Sequence, residues 1–134
     1  MGNVLVIQNT HNPKIFKAKL IDWNLAIFYF PGYEEEGKKG TPCYYPPEQL
    51  LKSSYHTPAI DIWALASVMY TFLVDKNPFP LKCKENNLKA IASLVGGEKI
   101  LKVIDKYRLY AYDDKEFVAS LRKNPKLYKG VSLM

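Results

Sequence analysis

The stretch from Thr57 to Leu73 constrains the fold more than any other part of the chain. Ile60, Ile62, Trp63, Leu65, Ala66, Val68, Met69, Phe72 and Leu73 place apolar side chains on nearly every side of a helix. A helix without a polar face belongs in the middle of a core. Thr57 is a good N-cap, Pro58 suits the first helical position, and Asn77-Pro78 supplies the stop. The spacing therefore predicts a buried central helix around which the other elements are arranged.

Those elements can be read from pattern and punctuation. Val4 to Ile7 and Lys17 to Ile21 are β-prone runs separated by the polar stretch Gln8 to Pro13, which predicts a hairpin. From Asp22 to Glu48 no period is sustained, and Pro31-Gly32, Gly37, Gly40 and Pro46-Pro47 interrupt the chain repeatedly. A loop of that length inside a compact domain is usually functional or disordered. Gln49 to Leu51 fits one helical turn. Leu88, Ile91, Ala92 and Val95 mark a second helix stopped by Gly96-Gly97. Ile100, Leu101, Ile104 and Tyr107 mark a third, and Phe117, Val118 and Leu121 a short fourth. The fold class expected is α+β and predominantly α-helical, with one short hairpin and no internal repeat.

Composition narrows the function classes. The 134 residues are 48% hydrophobic, enough for one domain with a real core. No apolar run approaches the roughly 18 residues of a membrane helix, and no basic-then-apolar leader is visible, so an intracellular, cytoplasmic or nuclear protein without membrane contact is expected. Cys43 and Cys83 stand far apart with no CxxC pair, which speaks against a zinc site or a disulfide framework. The net charge of +6 favours acidic partners such as phosphate groups, acidic peptides or nucleic acid, against the plainer reading of a solvated lysine-rich surface. The aromatics do not interleave with the basic residues in a nucleic-acid-binding motif, so nucleic acid is not an expected partner.

Several motifs carry a resemblance. Lys19-Leu20-Ile21-Asp22-Trp23-Asn24-Leu25-Ala26 is similar to the metal-binding DFG region of protein kinases. Gly40-Thr41-Pro42-Cys43-Tyr44-Tyr45-Pro46-Pro47-Glu48 resembles the end of an activation segment, with PPE in place of APE. Asp61-Ile62-Trp63-Ala64-Leu65-Ala66 resembles the DxWSLG opening of the central helix, and Asn77-Pro78-Phe79 a PPF-like turn. Tryptophan after the DFG-type aspartate, and Lys106-Tyr107-Arg108-Leu109 downstream, resemble the catalytic subunit of casein kinase II. The motifs stand in family order, and the likeness runs to about Leu121. It implies a serine/threonine kinase C-lobe without its N-lobe: residues 1–21 as the end of the catalytic loop and a hairpin, 22–48 as the activation segment, and 49–134 as C-lobe helices.

The resemblance assigns roles residue by residue. Asp22 and Asn3 become magnesium ligands that position ATP, through a carboxylate and an amide oxygen suited to a hard cation. Asn24 stands where kinases have glycine, and asparagine tolerates positive φ, so the unusual backbone is expected there. Lys38 and Lys39, with Gly40 and Thr41, belong to the activation segment. The two lysines lean toward acidic peptide substrates, and Thr41 matches the threonine that bridges substrate and catalytic loops. Glu34-Glu35-Glu36 reads more simply as a solvated charge run. Glu48 matches a glutamate that pairs with a later arginine, for which no counterpart is evident. Asp61 matches a carboxylate that accepts bonds from the catalytic loop, and Trp63 is structural. The catalytic aspartate is expected upstream of Met1, so no residue here is assigned as catalytic base. The chain is then expected to be inactive alone, needing a missing kinase lobe or another protein partner. The alternative is a non-catalytic, pseudokinase-like interaction module.

Overall fold

The computed structural model of the chain describes residues 2–32, 40–51, 57–79, 84–109 and 115–131. Strands β1 (Val4–Gln8) and β2 (Phe16–Leu20) form the expected hairpin, antiparallel, in a register running from Val4↔Leu20 to Gln8↔Phe16. Its long turn is organised by Asn9, whose side-chain oxygen accepts from the amides of His11 and Asn12 at 2.8 and 3.0 Å. The Asn9 amide closes the loop onto the Ile15 carbonyl at 2.8 Å. Asparagine takes this role because its short amide mimics a backbone turn.

Five α-helices follow among the described residues: α1 (Pro47–Leu50), α2 (Ala59–Val74), α3 (Lys84–Val95), α4 (Gly97–Lys106) and α5 (Lys115–Lys123). Short 3₁₀ turns occupy Pro42–Tyr44 and Pro125–Leu127. The stretch expected to be irregular thus contains local structure before Glu48. Helix α2 ends at Asp75, which adopts the left-handed conformation and donates its amide to Thr71 at 2.9 Å, two residues before Asn77-Pro78. Gly96, at φ 98°, separates α3 from α4, whereas Gly97 is already helical.

The core does not lie where the sequence pattern puts it. Helix α2 exposes Ile62, Leu65, Met69, Phe72 and Leu73, the last at 83%, and buries only Ser67. The buried cluster instead joins Leu50 and Leu51 of the α1 region, Leu88, Ile91 and Ala92 of α3, Ile100 and Ile104 of α4, and Phe117 and Leu121 of α5. Geometry explains the difference. Ile100 with Ile104, and Phe117 with Leu121, are i,i+4 pairs that make one apolar stripe per helix, and stripes can cover one another. An all-round apolar helix needs neighbours on every side, and the described residues cover only part of one side of α2.

The last described segment is tied to the α3–α4 junction. The Gly97 amide donates to the Tyr128 carbonyl and the Val131 amide to the Leu94 carbonyl, both at 2.9 Å. Gly97 permits this approach, because a Cβ there would sit 2.6 Å from the Pro125 carbonyl oxygen.

Candidate functional site

The hairpin brings Asn3 and Asp22 together. Pairing continues one step past Val4↔Leu20, with the Ile21 amide donating to the Asn3 carbonyl at 3.0 Å. The side-chain amide of Asn3 then donates to an Asp22 carboxylate oxygen at 3.4 Å, both residues being exposed. Asp22 holds φ 65°, a left-handed conformation that costs about 1–3 kcal/mol in a non-glycine residue and concentrates at functional positions. The expectation for Asn24 is corrected here: it has no positive φ, and the strained position is Asp22. The reason is local. The Trp23 indole folds back to donate to the Leu20 carbonyl at 3.2 Å, and the Ala26 amide donates to the Trp23 carbonyl at 2.9 Å. The chain therefore reverses at residue 22, immediately after the last strand-like pairing, and Asn24 lies within an ordinary turn.

Two adjoining hollows extend from this pair. One, of about 770 Å³, lies between the Asp22–Tyr29 stretch and α2, with Asp22, Trp23, Leu25, Ile60, Asp61 and Leu65 in its walls. The other, of about 600 Å³, is bordered by Asn3, Thr41, Cys43, Tyr44 and Asp61. Asp61 and Gly40 border both. Asp61 stands exposed in the first turn of α2, where a carboxylate favours the positive helix end. Asn3, Asp22, Gly40, Thr41 and Asp61 are thus gathered around one depression, although they span 59 positions of sequence.

The segment carrying Thr41 is clamped from two sides. Gly40 takes φ 111°, and its carbonyl accepts from the Tyr45 hydroxyl at 3.0 Å. The Thr41 carbonyl accepts from the Tyr44 amide at 3.0 Å, which starts the 3₁₀ turn. Asn87 of α3, fully buried, directs its amide toward the Pro42 carbonyl at 3.5 Å. Burial pushes the Cys43 thiol above its ordinary range, only partly offset by hydrogen bonds from its own backbone and from Tyr44. The Tyr44 and Tyr45 hydroxyls are pushed up for the same first reason. Tyr45 and Asn87 were not among the sequence candidates. Asn87 had a signal: it stands four residues before Ile91, a polar residue inside the apolar stripe of α3. Tyr45 had none.

Other candidates lie apart from the depression. Glu48 stands in the first turn of α1 and is engaged by an interaction there. Trp63 is half-buried and stacks on Phe79 with centroids 5.7 Å apart, while its buried indole N–H finds no acceptor among the described residues. Lys38, Lys39, Glu34, Glu35, Glu36 and Cys83 lie outside the described residues. Among the described residues no cluster of three histidine, cysteine or acidic side chains could hold a metal. The Asn3–Asp22 pair offers a different donor set, one carboxylate and one amide. It fits magnesium, which keeps water and phosphate oxygens as its remaining ligands. No described helix is long and apolar enough to cross a membrane.

Comparison with known proteins supplies the family. A probable serine/threonine-protein kinase of Dictyostelium discoideum is 28% identical over 108 residues, which covers 80% of this chain and 18% of that protein. The chain therefore spans about a fifth of the length of that curated relative. The protein kinase domain model matches residues 1–124. With that match covering nearly all of the sequence, the chain belongs to the protein kinase domain family.

Proposed function

We propose that the chain is a C-lobe fragment of a serine/threonine protein kinase of the casein kinase II catalytic type. The observation that carries the reading is the Asn3–Asp22 pair, with Asp22, held at φ 65°, lining one hollow with Asp61, and Asn3 lining the adjoining one with Thr41 and Asp61. In this reading Asp22 gives a carboxylate oxygen, and Asn3 its amide oxygen, to magnesium carried by ATP. Bound magnesium neutralises charge on the phosphates during phosphoryl transfer. Rotating the Asn3 amide by 180° turns its oxygen toward the carboxylate side, an orientation set by hydrogen bonding rather than by shape. The Gly40–Tyr45 clamp holds Thr41 where the acceptor segment of a substrate would lie. Asp61 accepts hydrogen bonds from the backbone of a catalytic loop. Lys38 and Lys39 favour acidic peptides.

These 134 residues contain no glycine-rich phosphate loop, and no aspartate beside Asn3 to orient the acceptor hydroxyl. Loss of general-base assistance alone typically costs about 10² to 10⁴ in rate. We therefore place the activity in a larger assembly and treat this chain alone as inactive. A second reading, a non-catalytic interaction module, is favoured by the apolar surface of α2 and the hairpin. Titration with Mn²⁺, observed by NMR, separates the two. Paramagnetic broadening confined to residues near Asn3 and Asp22, and absent in Asp22→Asn, is expected. Broadening that ignores that substitution, or none at millimolar Mn²⁺, favours the interaction module.

A further inference from the structure

One corner of the molecule carries charge that phosphoryl transfer does not use. Residues 115–131 hold five cations (Lys115, Arg122, Lys123, Lys126 and Lys129) against one anion, Glu116, a net +4 of the chain's +6. Arg122 is occupied by Asp105 of α4 at 2.8 Å. Lys123, Lys126 and Lys129 are exposed, and none has an ion-pair partner among the described residues. They recur every third residue, from the last residue of α5 across the following 3₁₀ turn.

This segment is not a loose tail. Its backbone is fixed to the α3–α4 junction by the Gly97–Tyr128 and Val131–Leu94 hydrogen bonds, both 2.9 Å. Gly130, at φ 74°, packs so closely that a Cβ there would sit 2.9 Å from the Gly96 nitrogen. The backbone that carries the lysines is thereby anchored to the α3–α4 junction. Two apolar side chains stand among them, Leu127 at 53% and Val131 at 62% exposure. Every other large exposed hydrophobic among the described residues lies within 5–30 or 62–74.

We propose that this corner is a docking surface for an acidic linear peptide that also carries an apolar side chain. Three uncompensated cations on a fixed backbone attract an anionic segment, and the pre-set backbone reduces the ordering cost of binding. Leu127 and Val131 supply the apolar contact that a purely ionic partner would leave exposed. Of the two aromatics in the segment, Phe117 is buried and Tyr128 is half-buried and tilted against it with centroids 6.1 Å apart, so neither offers a platform for base stacking. The surface favours a peptide over a nucleic acid on that ground. The proposal is independent of the phosphotransfer reading and stands or falls without it.

Fluorescence anisotropy tests it on the 134-residue chain, with a labelled peptide of mixed Asp and Glu around a Leu-Phe pair. Lys123→Glu, Lys126→Glu and Lys129→Glu combined should weaken binding by at least about tenfold, since close interfacial charges act strongly on affinity. Reversing Lys14, Lys17 and Lys19 on the hairpin, an equal change in net charge, should weaken it by no more than about twofold, the effect of diffuse screened charge. Replacing the three corner lysines with Gln provides the same comparison if the Glu variant fails to keep its helical circular dichroism. Leu127→Ser should lower affinity without changing the salt dependence. Equal losses from corner and hairpin variants, no binding at all, or displacement of the peptide by a short DNA duplex at lower concentration would each overturn the proposal.

Discussion

Replacing Leu88 with Ala tests where the core lies. Leu88 is fully buried in α3, within the cluster that includes Ile91, Ile100 and Leu121. Alanine is at least as good a helix former as leucine, so the substitution leaves helix propensity intact and removes packing alone. Deleting a buried leucine side chain costs about 2–5 kcal/mol, depending on how far the site collapses. Set against roughly 5–15 kcal/mol for a whole domain, that is a large fraction of the total. For a chain of this size it corresponds to a fall of about 10 °C in melting temperature. Ile62→Ala on α2 removes a side chain of similar size that is 66% exposed, and it should stay within about 0.5 kcal/mol of the parent. Urea unfolding followed by far-ultraviolet circular dichroism, at one low protein concentration, measures both. If Ile62→Ala cost as much as Leu88→Ala, α2 would be the centre of the fold and the α1–α3–α4–α5 core would be wrong.

Gly97→Ala should destabilise the chain although it adds a single carbon, because its Cβ would lie 2.6 Å from the Pro125 carbonyl oxygen and neither backbone can yield easily; a melting temperature equal to the parent's would show that the 125–131 segment is not tied down. Burial raises the Cys43, Tyr44 and Tyr45 values above the ordinary 9.0 and 10.0. The unfolded chain therefore loses these protons first, and stability that is intact below the ordinary thiol value is lost as pH rises from there through the raised folded values. Urea midpoints should fall steadily across that alkaline range and fall less in Cys43→Ala; a flat profile would contradict the burial of that turn. The exposed apolar side chains of residues 5–30 and 62–74 form far more than scattered surface hydrophobics. Light scattering should show concentration-dependent self-association, and a clean monomer at high concentration would show that this surface is not sticky.

Much of the secondary structure was legible because each signal was local. The hairpin followed from two β-prone runs around Asn9, and α3, α4 and α5 from i,i+4 apolar pairs such as Ile100 with Ile104. The depression was legible only through the motif resemblance, since nothing in spacing alone places Asp22 beside Asn3 or Asp61 near Thr41. What failed were statements about surroundings. The all-apolar pattern of α2 announces a need for neighbours, and sequence pattern cannot say which segments meet that need. Asn24 failed for a similar reason: the glycine-like position was inferred from the motif, whereas the actual turn is set by Trp23 folding back onto Leu20. Tyr45 gave no signal because its hydroxyl works on a carbonyl five residues earlier, a contact without a residue pattern.

In the function proposed above, these residues form one part of a phosphotransfer site and depend on further parts for turnover. Transfer of labelled phosphate from ATP to an acidic casein-like peptide, with magnesium present, tests it most directly. The assay is run with the purified 134-residue chain and with its Asp22→Ala variant. Neither protein should incorporate label above a blank, because the phosphate loop and the acceptor-orienting aspartate are not among these residues. Robust turnover by the parent chain that vanishes in Asp22→Ala would contradict it and make this chain a self-sufficient kinase.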